Sequence, residues 1–410
     1  MKFRPLIPFA LCFLLLAAAG VGAAAPPSYR LDYLVRFLPQ QGEAAVTLRV
    51  VPGDGRVQRL RLDPDEARHH GFEGDGRIQH EDGKVVWRPG KGEAELRYRY
   101  RIDRPRGDGA FDARITEDWT LLRADRLIPP IAALAPDGAV SKATLSIELP
   151  EGWTYAETAY VREGGGQRFA IDNPGRRFQR PLGWMIAGGI GTRAEQVGDS
   201  WVSVAAPRGS SLRRNDILAF VNASATELAH VFGPLPPKLL IVGADDPMWR
   251  GGLSGPRSLY LHAERPLISE NGSSTLMHEL VHVVSGIRGG LRDDWIAEGV
   301  ADYYGIELLR RGGLLSQARA EKAIEWMRNH GRSVKTLHSG RSSGPRTARA
   351  VALLADLDAE IRAETDGRRS LDDVVRPLVG SGRIDVRAFR ESARRVLGRP
   401  ARALETPLLD

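Results

Sequence analysis

The chain has 410 residues, 42% of them hydrophobic, and a formal net charge of +7, which is enough for two globular domains. Its only cysteine is Cys12, inside an apolar N-terminal run, so the rest of the chain has no disulfides and no thiolate metal ligands. The basic residues, mostly arginine, are scattered and form no long stripe interleaved with aromatics. That excludes a nucleic-acid partner and leaves a weak attraction to anionic envelope polymers or lipid head groups.

Lys2 and Arg4 precede the apolar run Leu6 to Val21, and Ala23-Ala24-Ala25 offers a small-residue cleavage site. The pattern predicts a signal peptide over residues 1–25 and a mature start near Pro26. An uncleaved membrane anchor is the alternative, because the run is just long enough to span. Export without disulfides points to the bacterial periplasm or the extracellular space.

From Ser28 to about Ala206 the chain reads as short strands. Tyr29 to Phe37, Ala45 to Val51, Val57 to Leu62, Lys84 to Trp87, Glu93 to Ile102, Ala143 to Leu149 and Trp201 to Val204 alternate apolar and polar residues. Turns such as Pro52-Gly53-Asp54-Gly55 separate them. This predicts a β-sandwich domain over residues 26–206. His69, His70 and His80 lie in polar, Gly-rich sequence and read as surface residues. Asp103, Asp108 and Asp112 flank a turn and lack the ligand spacing of a calcium loop.

The composition shifts at Arg208-Gly209-Ser210-Ser211. A helix is expected from Leu212 to about Phe232, closed by Gly233-Pro234. Lys238 to Val242 and Arg257 to His262 read as strands. Ser258 to His262 is placed to carry an extended peptide substrate as an edge strand, with an ordinary paired strand as the alternative.

Next comes His278-Glu279-Leu280-Val281-His282, the H-E-x-x-H form of a helical zinc site. Residues four apart share a helix face, so both histidines reach one ion while Glu279 reaches a water without ligating. Leu276, Met277, Leu280, Val281, Val283 and Val284 make this helix apolar on most sides, hence buried. Buried histidines and a buried glutamate need polar partners, and Zn2+ supplies them. Catalytic zinc takes three protein ligands and keeps one position open. Glu298 is the candidate third ligand, on a helix started by Asp293 or Asp294 and ended by Gly312-Gly313. Asp302, four residues further, is placed to accept a hydrogen bond from a ligating histidine. Beyond Trp295 the chain reads as helical, with a flexible loop at Ser339 to Gly344 bordering the cleft.

These residues resemble a gluzincin, the metallopeptidase group whose third zinc ligand is a glutamate on a following helix. W-x-x-E-G-x-A-x-Y, Trp295 to Tyr303, resembles the glycyl-aminopeptidase family and, more distantly, the large zinc aminopeptidases. Gly251-Gly252-Leu253 matches the start of that family's G-G-L-E-H segment. Leu357 to Arg362 and Ser370 to Val374 resemble its C-terminal helical region. The likeness covers about Trp201 to Pro400 and extends weakly to Leu149-Pro150-Glu151-Gly152-Trp153. It implies an α+β chain: the β-sandwich followed by a thermolysin-like zinc peptidase domain with a helical C-terminal part at residues 207–400, then a tail at 401–410.

Three departures carry consequences. Ser254 stands where the family has the glutamate that grips a substrate's free amine, which leans the expectation toward an endopeptidase. No tyrosine follows Tyr304, and the family's oxyanion-steadying tyrosine falls near Thr347-Ala348-Arg349-Ala350, leaving His338, His330, Arg346 and Arg349 as substitute donors. The family's PDZ domain is not expected, since ten residues follow Pro400. The leading expectation is an exported zinc metallopeptidase acting on peptide or protein substrates. Zinc sits on His278, His282 and Glu298, Glu279 is the general base and Asp302 orients a ligand. A peptide-binding protein of little or no turnover on the same scaffold is the alternative, and hydrolysis of another amide, such as a cell-wall cross-link, is a third reading.

Overall fold

The computed structural model describes residues 25–409, so the expected signal peptide, apart from Ala25, lies outside the described residues. The β-rich part is dominated by a seven-stranded sheet. Its spatial order is Val161–Arg162, Arg168–Ile171, Val140–Glu148, Ser28–Leu38, Glu43–Val51, Ala94–Arg101 and His69–Gly74. Ser28–Leu38 pairs parallel with Val140–Glu148 and antiparallel with Glu43–Val51, setting Tyr33 against Leu48. Successive side chains on a strand point to opposite faces. Leu31, Tyr33, Val35 and Phe37 accordingly turn inward while Arg30 and Arg36 stay in water. Tyr98 and Tyr100 are likewise buried between exposed Arg97, Arg99 and Arg101. The buried face shares one core with two smaller sheets, meeting Leu60 and Trp87 of one and Ile115 and Met185 of the other.

His69 departs from expectation. It is 5% exposed and lies between the Tyr98 and Tyr100 rings. The Asp65 N–H donates to its Nδ1 at 3.0 Å, and its Nε2 donates to the Leu127 carbonyl at 3.3 Å. A polar, Gly-rich stretch hides this because the burial comes from a neighbouring strand.

The C-terminal part is built on a five-stranded sheet ordered Ile190–Val197, Ser200–Pro207, Lys238–Ala244, Ser258–His262 and Gly252–Gly255. The middle three strands run parallel. The helix Arg214–Phe232 makes the crossover between the first two of them, as parallel pairing requires. Two expectations are corrected here. Ile190–Val197 and Ser200–Pro207 belong to this sheet and its core, so the expected division between residues 206 and 207 cuts through a paired sheet. Alternation shows that Trp201 to Val204 is a strand but not which strand it pairs with; its partner, beginning at Lys238 opposite Trp201, comes after the crossover helix. Second, Ser258–His262 is an inner strand, and Gly252–Gly255 is the edge. Glycine is depleted in strands, so Gly252-Leu253-Ser254-Gly255 did not read as one, yet a ladder needs only backbone groups.

The motif helix, Thr275–Ser285, lies against this sheet with Leu276, Met277, Leu280 and Val281 in the same core as Leu259 and Leu261. The Ser274 hydroxyl caps it, accepting from Met277 N at 3.1 Å, and Gly286 ends it at φ 60, the left-handed geometry that favours glycine. The following helix, Asp294–Arg311, packs on both the motif helix and Pro345–Glu364. A Cβ at Gly299 would meet the Ala350 Cβ at 2.8 Å, so this glycine permits the close crossing. Asp293 occupies the N-cap position without capping through its side chain. Its carboxylate instead lies 3.1 Å from His338 Nδ1 and accepts from Val386 N at 3.2 Å. Among the described residues no helix is long and apolar enough to cross a membrane.

Candidate metal centre and cleft

One helical turn separates His278 from His282, and their Nε2 atoms lie 3.1 Å apart. The Glu298 carboxylate, from the neighbouring helix, lies 3.5 Å from His278 Nε2 and 3.4 Å from His282 Nε2. Ligand atoms about 2.0–2.1 Å from a tetrahedral zinc are roughly 3.3 Å from one another. The triangle therefore fits that ion, and two nitrogens with one carboxylate suit its chemistry. His278, His282 and Glu298 are the one such group of potential ligands among the described residues. Asp302 Oδ1 lies 2.6 Å from His278 Nδ1, which fixes the ring and leaves Nε2 directed at the other two donors.

The electrostatics point the same way. Burial on its own would lower the His278 pKa, but Asp302, Glu298 and Glu279 hold it well above the ordinary histidine value. Burial would raise Glu298, yet His278 and His282 hold it far below the usual carboxylate range. These surroundings favour positive charge at the centre of the cluster.

Glu279 is buried and lies beneath the edge strand, where a Cβ on Gly252 would come within 2.8 Å of its Cγ. His262 N donates to the Gly251 carbonyl at 2.9 Å. Hydrogen-bonded pairs alternate in an antiparallel ladder, so with this register Gly252 and Ser254 turn their backbone groups outward, toward the cleft. The β-rich part steadies the strand. Trp184 Nε1 donates to the Leu253 carbonyl at 2.8 Å, and Arg123 Nη1 donates to that of Ser254 at 3.1 Å.

The cleft above the cluster has a volume of about 560 Å³, and His278, Glu279, His282, Glu298, Asp302 and Ser254 all line it. Of the four substitute donors only His330 does so, stacked on Trp326 at 4.7 Å. His338 is turned to the Leu409 carbonyl at 3.0 Å, and Arg346 donates to the Arg341 carbonyl at 3.3 Å; neither they nor Arg349 line the cleft. The loop Arg341 to Gly344 does border it, with Ser342 N held by Asp294 at 2.7 Å. Trp249, Asn271 and Trp326 also line it and were missed. They lie on three separate segments, and no local spacing marks them.

No family model matches the sequence, and no curated protein does. Solved structures do resemble it in fold. An aminopeptidase N family protein from Idiomarina loihiensis has a TM-score of 0.66 at 13% identity, covering 93% of this chain and 74% of that one. A mutant M1 zinc metallopeptidase from Deinococcus radiodurans, bound to a Tyr-Ser-Ala substrate, has a TM-score of 0.60 at 16% identity and covers 93% of both chains. Legionella pneumophila aminopeptidase A, in complex with aspartic acid, has a TM-score of 0.55 at 13% identity, covering 95% of this chain and 50% of that one. At these identities the likeness is one of fold: a mixed helix-and-strand architecture shared along nearly the whole chain.

Proposed function

We propose that this chain is a zinc-dependent peptidase, with zinc on His278, His282 and Glu298. The observation that carries the reading is the near-tetrahedral triangle of those donors, with Glu279 beside it and an edge strand alongside. Bound there, zinc would polarise the scissile carbonyl and acidify a water toward a pKa of roughly 7. Glu279 takes the proton from the attacking water and passes it to the leaving amine. Asp302 keeps the His278 ring oriented. The outward N–H and C=O of Gly252 and the N–H of Ser254 pair with an extended peptide and place its carbonyl over Glu279.

An endopeptidase is the favoured form. Besides Glu279, Glu298 and Asp302, the one carboxylate lining the cleft is Asp294, which Ser342 N engages, so a substrate's free amine finds no unspent carboxylate near Ser254. Aminopeptidase action is the second form, and the names of two structural neighbours support it. The leader pattern supports export, and the strand pairing supports a domain division near Gly189.

The test is to incubate the zinc-loaded protein with a peptide library, half of it N-terminally blocked, beside Glu279→Gln, and read products by mass spectrometry. Cleavage by the wild type alone is expected. Internal cuts in blocked peptides establish endopeptidase action, whereas cuts confined to unblocked N-termini reverse that preference. No cleavage despite bound zinc overturns the peptidase reading in favour of a peptide-binding scaffold.

A further inference from the structure

A second cavity, of about 640 Å³, adjoins the catalytic cleft and shares Ser254 and His282 with it. An extended peptide along the edge strand therefore passes from one into the other, advancing about 3.3 Å per residue. This cavity is strongly basic. Asp125 is the single carboxylate residue among those lining it, against five arginines. Asp125 is already spent: Arg123 grips it through contacts of 3.2 and 3.0 Å, and Gly183 N donates to it at 3.1 Å. Arg176, Arg180, Arg257 and Arg288 are left, and none of them has an ion pair with a carboxylate of the described residues. Arg180 and Arg257 are held in place by backbone carbonyls, Arg180 by Asp125 and Ile128, Arg257 by Asp172. Burial pushes the Arg180 guanidinium below its ordinary value. Arg176 and Arg288 stand exposed at the rim. Like charges gathered around a partly enclosed space repel one another, and a bound anion relieves that repulsion. A carboxylate matches the planar fork of a guanidinium.

We propose that this cavity is a carboxylate-recognising subsite, so that the chain favours peptides with an acidic group on the side of the scissile bond lying toward His282. The inference rests on the peptidase reading for its connection to catalysis. The carboxylate comes from an acidic side chain or from a peptide's C-terminus, and both present the same group.

The test uses three sets of peptides with matched sequences: Glu-bearing with an amidated C-terminus, Gln-bearing and amidated, and Gln-bearing with a free C-terminus. Turnover is measured on the zinc-loaded wild type. Binding of the same peptides to zinc-loaded Glu279→Gln is followed by fluorescence anisotropy. At least a tenfold preference for a carboxylate-bearing set is expected, shrinking as salt rises. Its arm identifies the source: side chain if the first set wins, terminus if the third does. In Arg176→Gln/Arg288→Gln the ratio of acidic to neutral peptide falls toward one, and in Arg288→Glu it falls as well. A wild-type ratio near one in both arms overturns the subsite, as does a ratio unmoved by these substitutions. Charge-selective binding without any turnover overturns the peptidase reading while the subsite stands.

Discussion

Gly252→Ala is the sharpest probe of how the edge strand and the Glu279 carboxylate are held together, and of the proposed role of Glu279. The Gly252 backbone lies outside the left-handed region, so alanine accepts its φ angle and contact alone carries the effect. The new methyl would stand 2.6 Å from Thr275 Cγ2, 2.8 Å from Glu279 Cγ and 3.1 Å from Glu279 Oε1. The first two are short of an ordinary carbon–carbon contact by roughly 1 Å. Thr275 opens the motif helix and Glu279 lies one turn along it, so strand and helix must part or the glutamate must swing away. Overpacking of this kind costs about 1–3 kcal/mol. A 1 Å misplacement of a catalytic group costs about a hundredfold in rate. Peptide turnover should therefore fall about a hundredfold while zinc stays at one per chain, since none of the three ligands is touched. Turnover, zinc content by atomic emission and urea unfolding separate these effects. Gly255→Ala, whose nearest atoms are all at 3.4 Å, should lose less. Turnover of Gly252→Ala within threefold of wild type, with zinc and stability normal, would refute the claim that Gly252 sets the position of Glu279.

Asp302→Ala removes the 2.6 Å partner of His278 Nδ1. Zinc affinity in a chelator competition should drop about 10–100-fold, with Asp302→Asn intermediate because the amide oxygen still accepts; unchanged affinity would exclude an orienting role. Lys238 and Glu157 form a buried ion pair between the C-terminal sheet and the β-rich part, and Lys238 Nζ also donates to the Tyr160 carbonyl at 2.8 Å. Lys238→Met alone leaves the Glu157 charge uncompensated and should destabilise by about 3–5 kcal/mol in urea unfolding, whereas Lys238→Met/Glu157→Leu should recover most of that loss.

The grouping of the candidate metal ligands His278, His282 and Glu298 was legible because its information is local. His278 and His282 declare a shared helix face by their spacing, and Glu298 with Asp302 repeats that spacing on the next helix. The strands of the β-rich part were legible for the same reason, since alternation such as Leu31-Tyr33-Val35-Phe37 sets an inner face. What escaped is set by long-range pairing. Trp201 opposes Lys238 and Ser254 opposes Leu259, and neither partner can be read from a strand's own pattern. The arginine-lined cavity draws on segments around residues 123, 176, 257 and 288, each unremarkable as a solvated arginine. The substitute donors share the right chemistry, yet three of the four lie outside the cleft: Arg346 and Arg349 sit on the helix Pro345–Glu364, turned away from it, and His338 is taken up by the Leu409 carbonyl.

Trp184–Gly188 is the last strand in chain order of one sheet of the β-rich part, and after Gly189 the chain opens the C-terminal sheet at Ile190. Trp184, Ile186 and Ile190 share an apolar seam with Leu240, Val242 and Tyr260, while Trp184 and Arg123 hold carbonyls of the edge strand. The β-rich half thus braces the edge strand beside the cleft rather than standing apart from it. A C-terminal half grafted onto a foreign partner would lose the Trp184 and Arg123 donors to its edge strand and expose the apolar face it shares with the β-rich half.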